Sequence, residues 1–558
     1  MQQDCNLDNV YKDVVVIGNG PSGICLSYMF AGNWPYYNGD PHPSDEMLTA
    51  RLRYSIGTQT PNGLDQKEFK ENGHHCRCQD GKQGRNLVNC TREALETLSL
   101  GLEGRGSRPL ARLMDQLQHP CTDAGLDIPS LLTWKSPEEC PDHKIIDHVV
   151  LGKGPPGGAW HSLDPNVLTI SLSRWMSLPG LDLRHWELLV EAEKQRTIFE
   201  NRGDGSCSIQ EKISACKPAT RVSIGTVAAY YRDYVTRQGL EKYFRCGTTI
   251  TSVTPNPGIN DNEKGYGWLV QGFENDNGRT FRYRCKKVVL ATGTTDSSNR
   301  LGIPGEKAHS DWVTHDLNVL ESRLDQLVSP QSSCSIIGET EKPNGHSVDP
   351  VLVVGAGLSA ADAIMAARFR GIPVLHAFRD SSNDWSKEKQ ESIKLNGSGL
   401  DRLQWLPVGI YPEYHKVYEM MADGGTNYPL YKALPGYNLM DVNANKSNGD
   451  GNPKDKRVTL CTPDGELVSY RVSLAAILIG SKPDLSYLEK GGVGLGKLKD
   501  RPIDSRWNPV EIDDFTYEVL RAPKKGLYAL GPLVGDNFVR FILGGGFAIL
   551  VHILSTCK

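Results

Sequence analysis

Apolar residues along this chain gather into short dense runs separated by long polar stretches. Residues 14–17 and 351–354 are unbroken runs of valine, isoleucine and leucine, the pattern of strands buried on both faces of a parallel sheet. Each leads through a glycine-rich turn into helical spacing, with Ile24, Leu26, Tyr28 and Met29 after the first and Ile364, Ala367 and Phe369 after the second. The sheet of the first fold is expected to resume at 148–151, and that of the second at 372–378. Further buried strands are predicted at 288–293, at 477–481 and from 527, each running into small residues.

The polar stretches divide these folds. Residues 33–145 read as an insertion after the first helix, with helical patches at 92–101 and 110–117. Residues 201–217 and 256–264 are expected as surface loops, 329–349 as a linker and 443–456 as a low-complexity interruption of the second fold. Tyr414, Val417, Tyr418 and Met421 have the spacing of an amphipathic helix packed in the second fold. The apolar run 541–554 is shorter than the roughly 20 residues a spanning helix needs, so a buried helix is expected and no transmembrane segment.

The predicted class is α/β, with two dinucleotide-binding Rossmann-like domains. The first is expected to be discontinuous, an FAD domain at 1–345 with its return at 491–558, and the second, an NADPH domain, to be inserted at 346–490.

The glycine turns carry the chemistry. In GNGPSG, Gly18 permits the tight bend, Gly20 lets a pyrophosphate approach the backbone and Gly23 lets helix pack on strand, with Pro21 and Ser22 opening the helix. In GAGLSA the same places are taken by Gly355, Gly357 and Ala360, with Ser359 between. A helix start offers unpaired amides and a partial positive charge to phosphate. At the end of the second fold's next strand His376 and Arg379 favour a 2'-phosphate, hence NADPH. In the first fold Gly152 and Lys153 stand where a ribose-binding acid belongs, so either another carboxylate such as Asp40 serves or the adenosine is held differently. Gly157, Gly158, Trp160 and His161 follow, a glycine pair able to run close to a large cofactor. Ala291, Thr292 and Gly293 fit a crossing segment over a dinucleotide, and Asp536 after Gly535 could accept a ribityl hydroxyl ahead of a helix led by Gly544.

Composition narrows the partners. The 558 residues carry 62 basic and 66 acidic side chains, a formal charge of -4, which gives no general attraction for nucleic acid or anionic lipid. A small organic substrate is easier to accommodate. The 14 cysteines are scattered and no apolar leader precedes the first strand, so an intracellular, cytoplasmic protein with reduced thiols is expected. No CxxC or CxxxxC pair is present, against a disulfide reductase. His74, His75, Cys76 and Cys78 read as a surface loop, and no metal is expected.

GNGPSG, GGAWH, ATG before LGIPG and GAGLSAAD together resemble the flavin-dependent monooxygenases. VVLGKGPPGGAWHS, YYRDYV, RLGIPGE, DPVLVVGAGLSAADA, YPEYHKVYEMM and GDNFVRF, in that order, are similar more narrowly to the oxidative stress-induced growth inhibitor family, over nearly the whole chain. The resemblance implies an FAD- and NADPH-linked monooxygenase that uses molecular oxygen, and links to growth, differentiation, cell death, cytokinesis, the midbody and protein partners. Within it His161 and Ser171 are the catalytic candidates beside the oxygen-activating flavin. The chain departs from the flavin-containing monooxygenases twice. Their FxGxxxH signature is represented only by Trp312 and His315, and the asparagine they carry after GGxW is replaced by Thr169, Ser171 and Ser173. A low-turnover redox-sensing scaffold and a peroxide-releasing oxidase therefore stand beside the monooxygenase.

Overall fold

The computed structural model describes residues 9–54, 84–104, 108–200, 220–256, 267–328, 348–379, 403, 406–445 and 455–556. The histidine-cysteine cluster at 74–78, the loop 201–217 and nearly all of 256–264 and 329–349 lie outside them. The chain forms two compact units, Met1–Asp296 with Pro483–Lys558, and Ser297–Lys482. In chain order the first unit opens with β1 (Asn9–Ile17), α1 (Pro21–Phe30), α2 (Pro109–Gln118), β2 (His148–Leu151), α3 (Ile224–Arg237), β3 (Phe244–Arg245), β4 (Thr248–Pro255), β5 (Trp268–Glu274) and β6 (Thr280–Leu290). The second holds β7 (Val313–Thr314), α4 (Leu317–Val328), β8 (Val351–Val354), α5 (Leu358–Phe369), β9 (Val374–Phe378), β10 (Tyr431–Pro435) and β11 (Leu474–Ile477). The first unit is then completed by β12 (Leu527–Ala529) and α6 (Val539–Thr556).

In the first unit the sheet runs β3-β2-β1-β6-β5-β4, with β12 also beside β6. Val14 lies opposite His148 on one side and Lys287 on the other, both parallel, so the run 14–17 is central and its valines are fully buried. The β4 and β5 strands are antiparallel additions. In the second unit five parallel strands run β7-β11-β8-β9-β10. The switch into this unit comes earlier than the expected 346, because Val313 pairs with Ala475 in the second sheet and 297–328 goes with it into the second unit. The return falls at 483 instead of 491. The stretch 443–456 is not wholly irregular. Its ends belong to an antiparallel hairpin, with Asn443 opposite Arg457 and Ala444 opposite Lys456.

The inserted segment has its own architecture. Trp34–Tyr37 pairs with Arg85–Asn86 and Leu132–Lys135, and the helices Glu46–Tyr54, Arg92–Ser99 and α2 accompany this small sheet. The two helical patches expected from the sequence correspond to Arg92–Ser99 and α2. The apolar run near 541–554 is the buried part of α6, which packs on α1 and α2. This helix begins at Val539, five residues ahead of the expected glycine start. Gly544 is a packing site inside it: a Cβ there would lie 2.3 Å from the Ala111 backbone of α2. Gly546 faces the end of the Met29 side chain of α1, 2.5 Å from where its Cβ would be. The helix Pro412–Ala422 buries Tyr414, Val417 and Met421 as its spacing predicts, with Met420 added and Tyr418 only half-buried.

Candidate functional site

The first glycine loop is crowded on nearly every side. Gly18 has φ +110°, and a Cβ on it would lie 2.3 Å from the carbonyl oxygen of Ala291, so only glycine lets the crossing segment approach. A Cβ on Gly23 would lie 2.1 Å from the Gly18 carbonyl oxygen. The Gly157 amide donates to the Asn19 carbonyl at 2.9 Å, and Gly158 passes so close to Gly20 that a Cβ would be 3.1 Å from its Cα. A Cβ on Gly531 would lie 2.5 Å from the Ser22 hydroxyl oxygen. Thus Gly157, Gly158, Ala291 and Gly531 all close on the loop 18–23.

One face is open. A Cβ on Gly20 or on Gly293 would meet nothing within 4 Å. Gly20 is also the N-cap of α1 and supplies no side-chain cap, whereas Ser223 caps α3 through the Thr226 amide at 3.1 Å. The α1 start therefore keeps uncapped amides beside open space, with Pro21 at its first position, and this geometry fits a pyrophosphate.

The missing ribose acid has a steric cause. Asn19 is buried, its Nδ2 donates to the Gly154 carbonyl at 2.7 Å, and its amide lies 2.1 Å from where a Cβ on Gly152 would be. No side chain of any kind fits at Gly152 while Asn19 stands there. Lys153 turns instead to Asp484 at 3.4 Å and Asp296 at 3.9 Å. Asp40 is placed in the turn after Trp34–Tyr37, where its carboxylate accepts from Asn38 Nδ2 at 3.1 Å, rather than at the end of β2.

His161 and Ser171 are not joined by a hydrogen bond. His161 ends the single turn Gly158–His161 and folds back so that its Nε2–H donates to the Pro156 carbonyl at 2.7 Å. It braces the loop on which Gly157 and Gly158 sit. The Ser171 carbonyl accepts from the buried Thr169 hydroxyl at 2.6 Å, closing a local turn. Trp160 packs edge-on against Tyr231 at 5.9 Å between ring centres. Three buried phenols of α3 then fix the strap beyond: Tyr231 donates to the Met176 carbonyl at 3.0 Å, Tyr234 to that of Pro179, and Tyr230 accepts from the Leu178 amide at 2.8 Å. The sequence signal was the tyrosine repeat within YYRDYV, which shares one helical face.

Asp536 is buried and its two oxygens are both engaged. Arg108 Nη1 lies 2.8 Å from Oδ1, and the Tyr517 hydroxyl donates to Oδ2 at 3.0 Å. Burial raises the carboxyl above the ordinary aspartate range, while Arg108 and the Tyr517 bond oppose the rise. Gly535 precedes it at φ +93°. Neither Arg108 nor Tyr517 is legible as a site residue: Arg108 lies 428 residues from Asp536, and nothing local pairs Tyr517 with an acid 19 residues on.

The second loop is built more sparsely. Gly355 has φ +129° and a Cβ there would lie 2.3 Å from the Leu478 carbonyl. Gly357 is the uncapped N-cap of α5 with nothing within 4 Å of a Cβ, Leu358 and Ser359 are exposed, and Ala360 is buried against the strand. His376 was expected to face a nucleotide. The strand instead turns it fully inward, where Nε2–H donates to the Gly355 carbonyl at 2.6 Å and Nδ1 accepts from the Tyr431 hydroxyl at 2.7 Å. Burial lowers it to about 4, so it is a neutral brace under the glycine loop. Arg379 is exposed just past the end of β9. Trp312 is fully buried, and His315 holds the Glu306 carboxylate at 2.7 Å beside a cleft of about 400 Å³ lined by Arg300, Lys307 and Arg323. Among the described residues no cluster of side chains has metal-ligating geometry.

No family model matches the chain. Among solved structures it resembles the bacillithiol disulfide reductase YpdA from Bacillus cereus, at 14% identity over 98% of this chain and 99% of that one, TM-score 0.48. The ornithine hydroxylase PvdA from Pseudomonas aeruginosa is similar at 11% identity over 98% and 100%, TM-score 0.48. Among curated sequences, human oxidative stress-induced growth inhibitor 1 is 36% identical over 97% of this chain and 94% of its own length. Human oxidative stress-induced growth inhibitor 2 is 36% identical over 96% and 92%. The Caenorhabditis elegans homolog is 25% identical over 100% and 97%. With both glycine loops inside that end-to-end similarity, the chain belongs to the oxidative stress-induced growth inhibitor family.

Proposed function

We propose that the first unit holds FAD across Gly18–Gly23, Gly157–Trp160, Ala291–Gly293 and Gly535–Asp536, that the second holds NADPH at Gly355–Ala360 with Arg379 on its 2'-phosphate, and that the chain is a monooxygenase-like oxidoreductase. The observation that carries this reading is the pairing of close glycines with open ones. Gly18 and Gly355 are pressed against carbonyls, whereas Gly20 and Gly357 face open space at an uncapped helix start, where a pyrophosphate belongs. FAD supplies hydride acceptance and oxygen activation. The protein's own part is to position it: Pro21 and Ser22 open the binding helix, His161 stiffens the glycine pair, and the α3 phenols fix the strap that follows. The substrate class is a small nucleophile, and the relatives' printed names support a role in restraining growth.

A second reading, a low-turnover flavin scaffold acting through protein partners, is favoured by one observation. The His161 Nε2–H donates to the Pro156 carbonyl, so this donor braces the loop under the glycine pair instead of reaching toward a reacting group. Purified protein separates the two. Bound yellow flavin with rapid NADPH consumption and little peroxide supports the monooxygenase, flavin with negligible turnover supports the scaffold, and a colourless protein that takes up no FAD defeats both.

A further inference from the structure

The segment inserted after α1 reaches two walls of the candidate flavin site through buried arginine forks. From the N-cap of α2, Arg108 places Nη1 on Asp536 at 2.8 Å and Nη2 on the Val534 carbonyl at 2.6 Å, with its guanidinium 5.2 Å from the Tyr517 ring centre. A two-armed grip on a carboxylate and on the backbone two residues before it fixes both the direction of Asp536 and the turn it ends. In the other direction Arg174, on the strap after Ser171, donates to Asp127 at 2.7 Å and to the Leu126 carbonyl at 2.9 Å, both within the inserted segment. Arg540, just into α6, is in turn clasped by Asp115 of α2 and lies 2.9 Å from Asp123. The segment thus grips Asp536, 428 residues on from Arg108, and Arg174, 47 residues on from Asp127.

We propose that the inserted segment is the flavin-retaining brace of the first unit, and that Arg108 is a positioning residue that keeps the Asp536 carboxylate aimed so that it can accept a hydrogen bond from FAD. This rests on the reading of the first unit as the FAD site. The groups facing Asp536 are few. Arg108 comes from α2, Tyr517 and Asp514 from the segment before β12, and the nearby Arg540 of α6 is occupied by Asp115 and Asp123. Without Arg108, burial and Asp514 both favour the protonated carboxyl, which is a poorer acceptor.

The test is FAD affinity of the full-length protein, read by flavin fluorescence between pH 6 and 8. The unsubstituted protein should bind FAD with nearly constant affinity over that range. Arg108→Met should bind at least tenfold more weakly at pH 7, with the loss deepening as pH falls, and Arg108→Lys should recover part of it, since the charge returns without the fork. Tyr517→Phe removes one hydroxyl from the same carboxylate with little risk to folding, and should show a loss of the same pH sign, about threefold. Adding Asp536→Asn to Arg108→Met should flatten the pH dependence. Wild-type affinity in Arg108→Met, or a pH-independent profile in both Arg108→Met and Tyr517→Phe, would overturn the proposal while leaving the FAD site itself standing. Failure of the unsubstituted protein to bind FAD would instead overturn the reading beneath it.

Discussion

The two glycine loops share a pattern and differ in their surroundings. Around Gly18–Gly23 three segments press inward, at 157–158, 291–292 and 531, and Asn19 reaches beneath the end of β2 to tie the loop down. Around Gly355–Ala360 one carbonyl, that of Leu478, presses on the turn, one imidazole braces it, and the helix start is exposed. An enclosed loop suits a nucleotide that stays bound, and an exposed one suits a nucleotide that comes and goes. Similar sequence motifs thus have different surroundings because of what the rest of the chain packs around them, and under the proposed function the FAD loop would hold its nucleotide longer than the NADPH loop.

The sharpest way to break this comparison is at Gly18. Gly18→Val combines a left-handed backbone with a 2.3 Å clash, and should destabilise the first unit by roughly 3 kcal/mol or more in urea unfolding while sparing the second. Gly20→Ala, two residues on, should leave stability within about 0.5 kcal/mol yet weaken FAD at least tenfold, since its methyl projects only into open space. Equal stability loss in the two variants would show that the crowding is not what distinguishes the positions.

His376 is tested through pH. Its folded value near 4 lies below the ordinary histidine value of about 6.5, so the unfolded chain binds the extra proton first. Its contribution is fully present above about pH 6.5 and is lost as pH falls toward 4, on the order of 3 kcal/mol in all. His148, stacked on Tyr243 and bonded to Ser27, is also lowered to about 4 and gives the first unit the same slope. His376→Gln should flatten the acid limb of the second unit's stability curve and leave that of the first unchanged. The smallest effect is expected at the exposed Arg379: Arg379→Ala should weaken NADPH about tenfold, near 1.4 kcal/mol, with NADH unchanged. Equal losses for the two nucleotides would remove the argument for a 2'-phosphate contact.

Both glycine loops, the strands that carry them and the discontinuous first unit were legible because they are local patterns: a β-branched run, a turn, a helix. The misreadings share a cause. His376 follows the strand period, but sequence could not tell which face carries Gly355's carbonyl. Gly544 reads as the start of a helix and is a contact inside one, since glycine serves both needs and only the neighbour, Ala111, decides between them. Arg108 was invisible because an arginine fork depends on chain hundreds of residues away. The absent acid at Gly152 is plain in the sequence, but its cause, the Asn19 side chain in the same space, arises only once folding brings residue 19 beside the end of β2.

The place of α6 has a consequence for synthesis. α1 is covered by a helix that ends at Thr556, and β6 gains its last parallel neighbour only at Leu527–Ala529. On a ribosome, the second unit has all its strands once Lys482 has emerged, while the first still lacks a strand and the helix over α1. The unit that starts first therefore finishes last, and in the interval the apolar face of α1 is surface that a nascent-chain chaperone would have to shield.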